Sequence, residues 1–68
     1  MTTINLVIPN MVTPYCQMTV VDSIMFAGGT VRNIVPTIAE VELDNLLSKE
    51  EIVVAIERAG YEVELTFE

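Results

Sequence analysis

The sequence predicts an α+β fold, a two-layer sandwich with two helices on one face of a four-stranded antiparallel sheet. Three observations lead there. Hydrophobic periodicity along the 68 residues switches in the order strand, helix, strand, strand, helix, strand. Each expected strand has one apolar face, and each expected helix has a stripe to lay on it. Both helices are bracketed by cap and stop residues.

Residues Ile4 to Ile8 alternate, with Ile4, Leu6 and Ile8 on one side, and Pro9-Asn10 ends this first strand. Thr13-Pro14 starts a helix, because Thr supplies an N-cap oxygen and Pro at the first helical position loses no needed N–H. That helix runs from about Pro14 to Ala27 and stops at Gly28-Gly29. At 100° per residue it carries two apolar stripes. Cys16, Val20, Ile24 and Ala27 form the stripe expected on the sheet, and Met18, Val21 and Met25 form one on roughly the opposite side. Thr30 to Val35 reads as a second strand, Pro36-Thr37 as a turn, and Ala39 to Leu43 as a third strand with one acidic face. Ser48-Lys49-Glu50-Glu51 is a capping box. Ile52, Ala55, Ile56 and Ala59 then form the buried stripe of a second helix, closed by Gly60. Tyr61, Val63, Leu65 and Phe67 alternate with Glu62, Glu64, Thr66 and Glu68 in a last strand. A β-α-β-β-α-β order of this kind is ferredoxin-like. The open sheet face is expected to carry Glu40, Glu42, Glu62 and Glu64.

The chain is one domain, near the lower size limit for a core without covalent staples. Cys16 is the one cysteine, so no internal disulfide helps, and packing must suffice; with 51% hydrophobic residues and no Trp, the core is expected to be aliphatic. No apolar run reaches the ~20 residues of a bilayer span, and Met1-Thr2-Thr3 lacks the basic start of a signal peptide. The expectation is a free-standing, soluble, cytoplasmic protein, with a free thiol suited to a reducing compartment. Ten carboxylates against Arg32, Lys49 and Arg58 give a formal charge of −7, which repels nucleic acid and favours basic partners or cationic ligands.

With this order in place, Ile8-Pro9-Asn10-Met11 leading to Cys16 resembles the heavy-metal-associated domain family of copper chaperones and metal-transporting ATPase domains. So does the stretch from Ser48-Lys49-Glu50-Glu51-Ile52 through Ala55-Ile56-Glu57 to Ala59-Gly60-Tyr61-Glu62-Val63. Gly29 falls where members of the family turn into the second strand. The resemblance covers essentially the whole chain and implies a metal loop of the form Met-x-Cys-x-x-Cys. Met11 would then prop the loop from below, Cys16 would be the second metal thiolate, and Tyr61 would pack beside the site. Thr13 stands at the first thiolate position, so the loop is Thr-x-x-Cys. A Thr hydroxyl is a hard oxygen and a poor ligand for Cu(I), and Zn²⁺ finds no His and only one Cys.

Three readings of Cys16 stay open. It is a small hydrophobe at a helix start; or it binds a soft ion such as Cu(I) with sulfur from outside; or it is a redox thiol. The outside sulfur would come from Cys16 of a second protomer, a small thiol, or a cysteine pair on a chaperone or metal-transporting ATPase domain. The positive end of the helix dipole favours its thiolate. Thr13-Pro14-Tyr15-Cys16 differs by one residue from the Cys-Pro-Tyr-Cys of glutaredoxins. The missing residue there is the attacking cysteine, and the interval to Pro36 is too short for that fold.

Met18 and Cys16 lie 200° apart on the wheel, so the Met18, Val21, Met25 stripe reads as an interaction or dimer face. The alternating Glu residues read as a solvated sheet face, with no Ca²⁺-type loop. Without His, a Ser with a base in reach, or a phosphate loop, the chain is not expected to be an enzyme. The expected function is a soft-metal carrier domain that passes its ion by thiolate exchange. Cys16 would be the ligand, Thr13 would contribute at most an outer hydroxyl, and Met11 and Tyr61 would support the loop. The alternative is a metal-free interaction or dimerisation module on the same scaffold.

Overall fold

A computed structural model describes residues 2–67. Met1 and Glu68, the outer end of the expected last strand, lie outside the described residues. The elements follow the expected order: β1 (Thr2–Val7), α1 (Pro14–Ala27), β2 (Thr30–Val35), β3 (Ile38–Leu43), α2 (Lys49–Arg58) and β4 (Leu65–Phe67). The sheet runs β2-β3-β1-β4, and every neighbouring pair is antiparallel. Both helices pack on one face, so the architecture is the ferredoxin-like two-layer sandwich.

The register explains which face is buried. Ile4 stands opposite Val41 and Leu6 opposite Ala39, and all four point into the core. From the helices, Val20, Ile24, Ile52 and Ile56 close over them with no exposed surface. Each such side chain contributes about 1.5–3 kcal/mol relative to exposure. Of the expected helix stripes, Cys16, Ala27, Ala55 and Ala59 are only half-buried at the margins. Gly29 lets the layers come this close, since a Cβ there would stand 2.9 Å from Ile24 Cγ2 and 3.0 Å from Ile52 Cδ1.

In β2 the inward residues are Val31 and Ile34, three apart rather than two, because the pairing with β3 slips between Val31 and Asn33. The extra residue includes Arg32 on the outside, where it pairs with Glu42. An exposed pair of this kind contributes at most about 1 kcal/mol.

The last strand departs from the expected pattern. Among the described residues of this segment, strand covers Leu65–Phe67, and the side chain facing the core is Thr66, opposite Leu6. Leu65 and Phe67, expected inward, are 55% and 47% exposed. The cause is local to Val7. Its carbonyl accepts the Glu64 N–H at 2.8 Å, while Val7 also stands opposite Leu65. Two residues oppose one, and the alternation set by Tyr61 and Val63 inverts. Glu62 and Glu64 therefore precede the strand and do not join Glu40 and Glu42 in a four-carboxylate face. That face instead carries an apolar row of Val35, Ile38, Val7 and Leu65 across all four strands.

Candidate functional site

The site is built where β1 hands over to α1. Val7 ends the strand, and the chain from Ile8 to Thr13 is held by backbone bonds to the β2–β3 turn. Ile8 N–H donates to Thr37 O at 2.8 Å, and Thr37 N–H donates to Met11 O at 2.7 Å. Met11 is buried with no exposed surface and fills the space beneath the loop. Thr13 then caps α1. In extended conformation (φ −107°, ψ 160°), its Oγ1 accepts the Cys16 N–H at 3.1 Å, and Pro14 occupies the first turn.

The same Thr13 hydroxyl donates its proton to Cys16 Sγ at 3.1 Å. One side chain therefore caps the helix and solvates the sulfur. Tyr61 approaches from the other side, carried there by the end of α2. Gly60 takes φ 94°, a conformation that costs a side-chain-bearing residue about 1 kcal/mol. Gly60 N–H donates to Glu57 O, and Tyr61 N–H donates back to Ile56 O, which reverses the chain onto the loop.

Asn10 locks this approach. Its Nδ2 donates to Gly60 O at 3.4 Å, and its Oδ1 accepts the Glu62 N–H at 3.2 Å. The amide thus grips the backbone on both sides of Tyr61. The sequence placed Asn10 at the strand end and in the stretch that carries the family resemblance, but gave it no hydrogen-bonding role. The missed signal was a residue with both a donor and an acceptor beside the loop.

These contacts set the chemistry of the thiol. Cys16 has its pKa lowered from 9.0 to about 7, first by the Thr13 hydroxyl, then by the Tyr61 side chain, then by the backbone at Thr13. The Tyr61 phenol is pushed up in turn, first by its interaction with the Cys16 side chain and then by desolvation. Near neutral pH, thiol and thiolate are both well populated. A nucleophilic, soft, partly exposed sulfur stands at a helix start.

Thr13 and Cys16 are therefore in direct contact, and Cys16 and Tyr61 both pack against the buried cluster that includes Met11. Met18 and Met25 do not join them; they are 65% and 61% exposed along α1, with Val21 half-buried between. Among the described residues no three His, Cys, Asp or Glu side chains cluster closely enough to hold an ion. At this point the structure places the free Cys16 sulfur with the Thr13 hydroxyl donating to it. Among the described residues, no helix is long and apolar enough to cross a membrane.

No protein-family model matches the sequence, and no curated protein matches it. Solved structures do. A heavy metal binding protein from Thermotoga maritima superposes with a TM-score of 0.77 over 98% of each chain, at 22% identity. Oxidized MerP from Ralstonia metallidurans CH34 gives 0.76 at 27% identity, over 94% of this chain and 97% of its own. The copper binding domain from HMA7, a P-type ATPase, gives 0.81 at 31% identity, over 94% of this chain and 92% of that one. That identity, sustained over nearly the full length of both chains, places the protein in the heavy-metal-associated domain family.

Proposed function

We propose that the chain is a soft-metal carrier domain with a one-cysteine site, and that its cargo is Cu(I) or an ion of similar softness. The observation that carries this reading is the Cys16 sulfur at the exposed start of α1, which accepts the Thr13 hydroxyl proton at 3.1 Å. A soft anion of this kind suits Cu(I), and the oxygen of Thr13 does not. One sulfur leaves the ion under-coordinated, so a second must come from outside: Cys16 of another copy, a small thiol, or cysteines of a chaperone or ATPase domain. Transfer is then ligand exchange. An incoming thiolate adds to the bound ion, and Cys16 leaves as the thiolate its donors already stabilise. No bond of a substrate is made or broken, so the domain acts as a carrier rather than an enzyme, in the reducing cytoplasm where its thiol stays free.

The likeness to a copper binding domain of a P-type ATPase supports the metal and the kind of partner. The test is an anaerobic Cu(I) titration against a competing chelator, with the oligomeric state followed on the same samples. One copper per two chains, with dimerisation, and loss of both in Cys16→Ser, is the expected result. No retained copper, even with glutathione, overturns the carrier reading. The exposed methionines of α1 favour the second reading, a metal-free interaction module, whose binding would survive Cys16→Ser.

A further inference from the structure

We propose that the groove between α1 and α2, on the outer side of the helical layer, docks a basic amphipathic segment of a partner protein. The groove has a volume of about 830 Å³ and is open to solvent. Phe26 of α1 and Val54 and Ala55 of α2 give it an apolar lining, and Asp22, Glu50 and Glu51 line it as well. Phe26 is 96% exposed. An aromatic ring so placed adds nothing to the core of this chain, and its apolar area becomes favourable only when something covers it.

Charge selects the occupant. Three carboxylates against Arg58 line the groove, on a chain of net charge −7. A second copy would bring the same acidic surface to it, and an anionic lipid or nucleic acid would be repelled. A segment with apolar side chains on one face and Lys or Arg beside them satisfies both the apolar and the acidic lining, in the manner of a helix laid in a groove. Met18, Val21, Met25 and Cys16 do not line the groove. Docking there is independent of the metal reading and leaves the thiol free for exchange.

The experiment is amide chemical-shift mapping of the intact chain by NMR. The probe is a synthetic Leu/Lys amphipathic helical peptide, long enough to span the 10 residues of α2. Perturbations centred on Phe26, Val54 and Ala55 are expected, and a Leu/Glu peptide should produce none. Phe26→Ser, which removes an exposed ring, and Glu50→Gln with Glu51→Gln should each weaken binding about tenfold. Glu62→Gln with Glu64→Gln changes the net charge equally and should leave affinity unchanged, as should Cys16→Ser. Three results overturn the proposal: equal loss in the Glu62 and Glu64 variant, perturbations centred on Met18 and Met25 or on the open sheet face, or the same groove perturbations on concentrating the chain without peptide.

Discussion

The Thr13 hydroxyl and the Cys16 sulfur lie 3.1 Å apart, and the same hydroxyl oxygen accepts the Cys16 amide proton at 3.1 Å. Capping and thiolate stabilisation are thus one interaction, and removing the hydroxyl must affect both. In wild type the rate of alkylation of Cys16 should rise with pH through a midpoint near 7. Thr13→Val should move that midpoint up, and Tyr61→Phe should move it up by less, following the order of the two causes. Thr13→Val should also cost about 1 kcal/mol of stability through the lost cap. A Thr13→Val midpoint that stays near 7 would mean the hydroxyl does not act on the sulfur.

A lowered thiol pKa is also a statement about folding. The folded state favours the thiolate, so its contribution is full above the ordinary thiol value of 9.0 and is lost as pH falls through about 7. Thermal stability of wild type, measured relative to Cys16→Ser, should therefore rise between these two values. A flat difference across that window would count against the donor arrangement around Cys16.

Thr13→Cys places a second sulfur where the hydroxyl now contacts Cys16. Two thiolates on one loop suit Cu(I) far better than a thiolate and a hydroxyl. We expect Cu(I) affinity to rise by orders of magnitude, and the stoichiometry to shift to one copper per monomeric chain. No gain in competition against a chelator would show that the loop geometry has itself diverged.

Much of this was legible in the sequence because the signals are local. Thr13, Pro14 and Ser48 announce helix starts within a turn of themselves, and Ile4, Leu6, Val41 and Leu43 show their face by alternation. What was hidden depends on partners distant in the chain. The inversion between Val63 and Thr66 exists because Val7 takes two residues of the last segment against one of its own. Asn10 gains its role only when Gly60 and Glu62, some 50 residues on, arrive beside it. The wheel left Phe26 off both stripes. Whether it was covered depended on how α2 packs beside α1, which periodicity does not report.

Met11 separates support of the loop from ligation. It is fully buried, and its backbone bonds to Ile8 and Thr37. Met11→Ala should cost about 2–5 kcal/mol through the cavity it leaves. Met11→Leu keeps the volume, should cost less than about 1.5 kcal/mol, and should leave copper stoichiometry and affinity unchanged. Loss of copper in Met11→Leu, with folding intact by circular dichroism, would make the thioether a ligand.

Asn10→Ala tests whether the grip on the backbone around Tyr61 reaches the thiol. The substitution removes two hydrogen bonds, at 3.4 and 3.2 Å, that bracket the tyrosine. Both are exposed, so the stability cost should be modest, about 0.5–1.5 kcal/mol per bond. The telling effect is on Cys16. With the backbone around Tyr61 released, the alkylation midpoint should rise toward that of Tyr61→Phe. In the double variant the two shifts should not add, since both act through the same phenol hydroxyl. Additive shifts would mean that Asn10 reaches the sulfur by a route of its own, through the loop that carries Met11 and Thr13, and that Tyr61 keeps its position without it.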